Sequence, residues 1–224
     1  MPRDAYQDAL ETLRADVVAF GERVSDQLDD ALRAIETDDD ALATAVIEGD
    51  DAINERYLEL EGDCIDLIAL QQPVASDLRF VTASFKIITE LERVGDLATN
   101  LSAYVHSVDS PHFPDVSLLD VGRLAREMVD EALDAYDGAD PDRAAAVVER
   151  DDELDGLCER VAETVVLELV ETTETFADDE LADLLSEVNL LLLTLRDIER
   201  VGDHAVNIAA RSFYMVTNRT TLLY

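Results

Sequence analysis

The chain has no tryptophan, five prolines, eight glycines and two cysteines in 224 residues. So few breakers exclude a many-stranded β architecture, whose turns consume Gly and Pro, and suit long helices joined by few turns. Lysine is nearly missing as well. Lys86 is the only one, and basic residues number 17 in all against 52 acidic ones, for a formal net charge of −35. With no basic patch to displace counterions from phosphates, nucleic acid is excluded as a direct partner. Cys64 and Cys158 stand alone in helical patterns and read as buried free thiols of a reducing cytoplasm rather than a disulfide or a metal pair. Long apolar runs are lacking too. Met1 to Asp8 carry no signal-peptide core, and the most apolar run, Val188 to Leu195, falls far short of a membrane span. A soluble, cytoplasmic protein with no membrane insertion is expected.

What the chain has in excess is acid, spread along its whole length rather than gathered in a tail. Self-repulsion on this scale is tolerated where salt screens it, the Debye length falling to about 3 Å at 1 M. The distribution predicts a solvated surface suited to a halophilic archaeon or another salt-loving microbe. An acidic face made for one basic partner would be clustered.

Apolar residues recur at three- and four-residue spacing almost throughout, predicting an all-α fold. Six helices are expected, at about Asp4–Ile35, Asp38–Leu70, Ser76–Val108, Ser117–Tyr136, Pro141–Glu171 and Asp178–Thr217, with Ser76 as an N-cap and Pro141 at a helix start. Asp109-Ser110-Pro111-His112-Phe113-Pro114 is the one Pro-dense stretch and the natural boundary. It divides the chain into three-helix units over 1–109 and 115–224.

The two units repeat. Glu92-Arg-Val-Gly-Asp96-Leu-Ala-Thr-Asn100-Leu-Ser-Ala103 aligns without gaps to Glu199-Arg-Val-Gly-Asp203-His-Ala-Val-Asn207-Ile-Ala-Ala210, with eight of twelve positions identical. Asp50-Asp-Ala-Ile-Asn54 echoes Asp151-Asp-Glu-Leu-Asp155 one helix earlier in each unit. Internal repetition of this kind marks tandem structural units.

Glu92 and Asp96, like Glu199 and Asp203, are four apart and share one helix face about 5–6 Å apart. Such pairs repel by a few tenths of a kcal/mol, and a multivalent cation compensates them well. Hard oxygen donors suit Mg²⁺, Mn²⁺, iron or Ca²⁺. Asn100 and Asn207, four further on, extend each stripe with a neutral oxygen. Gly95 and Gly202 lie between the carboxylates, each at a helix-interior cost of about 1 kcal/mol relative to Ala, and make room for a neighbouring helix or a hydrated ion. Folding the first hairpin about Val74 sets Asp96 near Ala52, within a turn of Asp50 and Asn54. Folding the second about Thr175 sets Glu199 opposite Asp151. Arg93 and Arg200 are expected to pair with the acids three back, Glu90 and Asp197. His106 and His112 lack partners at ligand spacing, and His204 is assigned to the surface.

The run Val46-Ile-Glu-Gly-Asp50, then Gln72-Pro-Val-Ala-Ser-Asp-Leu-Arg79, then Glu90-Leu-Glu-Arg-Val-Gly-Asp96, resembles the PhoU family in order and spacing, and the second Glu-x-x-x-Asp signature completes the match over essentially the whole chain. The second unit lacks the Gln-Pro-x-Ala-x-Asp-Leu-Arg turn and has a longer connection, Thr172 to Asp178. The resemblance implies two side-by-side three-helix bundles. It also implies one multinuclear site of iron, manganese, magnesium or zinc per bundle, on Glu92 and Asp96 and on Glu199 and Asp203, with Asp50 and Asp151 as helpers. It implies a non-catalytic, often dimeric regulator of phosphate uptake and homeostasis that acts on the ATPase side of a phosphate ABC transporter, on a membrane sensor kinase, or on both. Two alternatives stand beside it. One is a carboxylate-bridged di-metal enzyme, although Glu-x-x-His, the ligand pattern of such bundles, does not occur here. The other is a metal-independent helical scaffold whose acids serve salt tolerance.

Overall fold

The computed structural model describes residues 3–105, 118–172 and 178–223; His106, His112 and the Pro-dense boundary lie outside them. Every regular element among the described residues is a helix: α1 (Arg3–Thr37), α2 (Asp40–Gln71), α3 (Ser76–Val105), α4 (Leu118–Asp137), α5 (Pro141–Glu149), α6 (Asp151–Thr172) and α7 (Asp178–Thr217). The all-α expectation holds.

The ends are set by local chemistry. Asp39 caps α2 and accepts from the backbone N–H groups of Ala41 and Leu42, while Asp140 caps α5 in the same way ahead of Pro141. Gln72 closes α2 in the left-handed region at φ 49°. Ser76, expected as an N-cap, is instead the first helical residue of α3; Ala75 ahead of it takes φ 49°, and the Ser76 hydroxyl donates to the Asp77 carboxylate.

The single helix expected over Pro141–Glu171 is interrupted at Arg150. Its guanidinium reaches back to α4, 2.6 Å from Glu131 and 2.9 Å from Glu127, and this tertiary anchor replaces a local breaker.

α3 packs against α1, α2 and α7, and α7 packs against α3, α4, α5 and α6. Their buried positions fall at helical spacing. Ile87, Ile88, Leu91, Val94, Leu97, Ala98 and Leu101 of α3 meet Ile198, Val201, Ala205 and Ile208 of α7 in one core cluster that runs through both units. Each fully buried large side chain contributes about 1.5–3 kcal/mol relative to exposure.

The contact between α1 and α4 is reciprocal. A Cβ on Gly21 would overlap the Leu133 side chain, and one on Gly122 would overlap Leu32. Nearby, the buried Tyr136 hydroxyl shares a 2.7 Å hydrogen bond with Ser84, and the Tyr136 ring stacks on Phe80 with centroids 6.1 Å apart.

Candidate metal centre

Both repeated motifs lie where α3 and α7 run antiparallel along each other. The first hairpin has the expected register. Asp50 on α2 accepts hydrogen bonds from Thr99 of α3 (3.2 Å) and, on its other oxygen, from Asn54 one turn along α2 (2.8 Å). Glu92 and Asp96 are half-buried beside it. Burial, then the charges of Asp96 and Asp50, push the Glu92 carboxyl above the usual carboxylate range. Burial and the Asp50 charge do the same to Asp96, and Arg93 offsets only part of either shift.

The second hairpin has slipped. Gly202 faces Leu154, and Glu199 lies beside Asp155 and Cys158, so the residue opposite Glu199 is Asp155 rather than Asp151. Counted from that contact, α7 extends about a turn and a half further toward the connection than α6 does, so folding the chain at the midpoint misplaces the register. Asp151 still belongs to the group. Burial and the charges of Asp155, Asp203, Asp152 and Glu199 raise it, while burial and the charges of Asp155 and Asp203 raise Glu199. Asp203 is raised by burial and by Asp155, against the lowering effect of His204 and Arg200. The centre here is thus Asp151, Asp155, Glu199 and Asp203. Asp155 stands where the sequence repeat has Asn54 in the first unit, and that echo is its one signal in the sequence.

The motif glycines serve the helix contact. A Cβ on Gly95 would sit 3.1 Å from Ile53 on α2, and one on Gly202 would overlap Leu154 on α6. Of the two roles open to them, neighbour-helix packing is the one seen.

Three sequence expectations need correction. His204 is not a surface residue. Its Nδ1 lies 2.8 Å from a Glu90 oxygen of α3, and its side chain is 16% exposed. Arg93 does not pair with Glu90, which is occupied by His204 and by the Asn207 amide (3.2 Å); the Arg93 Nε lies 3.6 Å from Glu92 instead. Asn207 therefore donates across to α3 rather than extending an oxygen stripe; like its counterpart Asn100 it is exposed. Arg200 does reach Asp197, at 3.5 Å. Asp197 is fully buried, and the Tyr104 hydroxyl of α3 donates to it at 2.8 Å. Glu90 and Asp197 occupy equivalent places two residues before each motif, so each unit sends one acid across the α3–α7 crossing.

As donors these groups fit a hard, multivalent, partly hydrated cation, because all are oxygens and most are held above their usual range, first by burial and then by neighbouring carboxylates whose repulsion such a cation would relieve. Among the described residues no three His, Cys, Asp or Glu side chains converge on a single ion position as they are placed.

The fold and site define an all-helical protein of two repeated units, each displaying a carboxylate cluster on its second hairpin helix. A family model described as the PhoU domain matches twice, over residues 17–105 and 118–212, and the chain belongs to the PhoU family. It is 31% identical over 225 residues to the phosphate-specific transport system accessory protein PhoU homolog of Clostridium acetobutylicum, covering 98% of this chain and 97% of that one. It is 34% identical to the phosphate-specific transport system accessory protein PhoU of Escherichia coli, over 94% of this chain and 85% of that one. The crystal structure of PhoU from Pseudomonas aeruginosa superposes with a TM-score of 0.82 at 33% identity, covering 96% of this chain and all of that one. The phosphate transport system regulatory protein PhoU from Streptococcus pneumoniae shares the fold, with a TM-score of 0.85 at 24% identity over 96% and 99% of the two chains. These are names of accessory and regulatory proteins, not of enzymes.

Proposed function

We propose that this chain is a metal-binding, non-enzymatic regulator of phosphate uptake that works as an adaptor on a phosphate ABC transporter, on a phosphate-sensing kinase, or on both. The relatives' names supply the transport role. The observation that carries the metal role is that two copies of one motif place carboxylates against acids of the preceding helix, where burial and repulsion raise them. Asp50, Glu92 and Asp96 would hold ions in the first unit, and Asp151, Asp155, Glu199 and Asp203 in the second. A multinuclear cluster bridged by water suits carboxylates that do not close on one point. Bound metal would supply positive charge that fixes α2 to α3 and α6 to α7.

The acting form is a cytoplasmic homodimer. No helix among the described residues is long and apolar enough to cross a membrane, which is compatible with that placement. Leu70 and Val74 at the first hairpin tip, and Leu167 and Val170 near the second, are exposed apolar side chains available to partner proteins. The test is metal analysis of protein purified without chelator, with and without phosphate, beside a Glu92→Gln/Glu199→Gln variant. Absence of ion from the wild type, with phosphate regulation intact in the variant, sinks the metal role.

A further inference from the structure

In a chain with three acids for every base, guanidiniums should find carboxylates, yet among the described residues two that line one hollow have none. The hollow, about 500 Å³, lies between the N-terminal parts of α1 and α3 and the end of α7. Arg79 of α3 lines it, and among the described residues this side chain makes no hydrogen bond or ion pair; its Nε is buried and unpartnered. Arg14 of α1 lines it too. That guanidinium is locked in place over the Phe80 and Tyr136 rings, 4.8 and 5.3 Å from their centroids. Among the described residues only its Nη1 is spent, on the Tyr136 and Asp137 carbonyls.

Two carboxylates also line the hollow. Asp77 is already tied on both oxygens, by the Tyr6 hydroxyl (3.1 Å) and the Ser76 hydroxyl (3.3 Å), and Glu11 is the other. A pre-positioned Arg14 and an unpaired, partly buried Arg79 thus line one hollow with guanidinium donors that no acceptor among the described residues takes up. Planar guanidiniums with donors to spare are the usual partners of phosphate oxygens.

We propose that this hollow is an anion site that takes one phosphate group, gripped by Arg79 and backed by Arg14. It stands about 20 Å along α3 from Glu92, so it is separate from the carboxylate centres and independent of any metal there. Its ligand is either free phosphate or a phosphate carried on a larger molecule.

The test is nitrogen-15 NMR of the full chain, kept in chelator at constant ionic strength and titrated separately with inorganic phosphate, ATP and vesicles of anionic phospholipid. The Arg79 Nε–H resonance and the amides of the first turn of α3 should shift saturably with phosphate. Arg79→Gln should weaken that binding about tenfold or more, with Arg79→Lys intermediate and circular dichroism unchanged in both. Shifts with ATP or vesicles but not with inorganic phosphate support the site and assign the group to a larger molecule. No saturable shift with any probe, or binding that Arg79→Gln leaves intact, overturns the proposal. If Arg79→Gln unfolds, the shift map and the Arg79→Lys affinity decide it.

Discussion

Neutralising the second carboxylate cluster should stabilise the protein without metal and abolish the stabilisation by metal. Asp151, Asp155, Glu199 and Asp203 make six like-charge pairs, and the double variant Glu199→Gln/Asp203→Asn leaves only Asp151–Asp155. At about 0.3 kcal/mol for a screened pair of this kind, the five lost repulsions amount to about 1.5 kcal/mol. For a chain of this size that raises Tm by about 3–6 °C. Metal works in the opposite sense. An ion at a hundredfold excess over its Kd adds about 2.7 kcal/mol to the wild type, or about 5–11 °C, and nothing to a variant that cannot bind it. Calorimetry on chelator-treated protein, at the lowest salt that keeps it folded, reads the first effect, and the same scans with added Mn²⁺ read the second. Glu163→Gln/Asp183→Asn, at two exposed acids outside the cluster, controls for net charge. A variant that melts below the wild type without metal, or that still gains the full Mn²⁺ increment, would falsify the reading of these acids as an uncompensated ion site.

Other expectations follow from single contacts. Gly202→Ala gains about 1 kcal/mol of helix propensity but forces Leu154 aside in a sealed core, a cost of about 1–3 kcal/mol, so urea unfolding should show a net loss. Gly95→Ala, facing Ile53 at 3.1 Å, should lose less. Tyr136→Phe removes a buried hydroxyl but leaves Ser84 bonded to the Phe80 carbonyl at 2.9 Å, so a loss of about 1 kcal/mol is expected in the same assay. Burial pushes the Glu90 carboxyl up, but the hydrogen bonds and charge of His204 with Asn207 outweigh it and hold the group below its ordinary 4.5. A depressed carboxylate stabilises above its unfolded pKa and loses that contribution as pH falls through the folded one. Glu90→Gln should therefore be less stable than the wild type near neutral pH, and the gap should close below about pH 4.5; a gap that is constant with pH refutes the assignment.

The sequence made the helices readable because their apolar spacing is unbroken and some end signals are local, as Pro141 is at the start of α5. It also made the carboxylate stripes readable, because the repeat isolates Glu92 and Asp96 from 52 acids that otherwise look alike. The first register followed from a short turn between Gln71 and Ser76, whose length leaves little freedom. Apart from the cap at Ser76, what failed depended on partners distant in the chain. The break at Arg150 rests on Glu127 and Glu131 of α4, and the position of His204 rests on Glu90 of α3. Neither helix carries a sign of them. The slip that puts Asp155 rather than Asp151 opposite Glu199 arises from unequal helix extension beyond a long connection, which spacing within either helix does not encode.

The reciprocal notches on α1 and α4 say something about how such a chain can arise. Gly21 receives Leu133 and Gly122 receives Leu32, each glycine and each leucine separated from its counterpart by the same interval along the sequence. That is the isologous pattern by which two copies of one polypeptide pair about a two-fold axis. A segment like α1–α3 already carries both the notch and the knob needed to dock on its own duplicate. Joining the duplicates in one chain replaces a concentration-dependent encounter with an intramolecular one, at an effective concentration set by the connecting segment. The two metal-site candidates can then diverge, as Asn54 and Asp155 have, while the pairing that holds them together stays intact at any dilution.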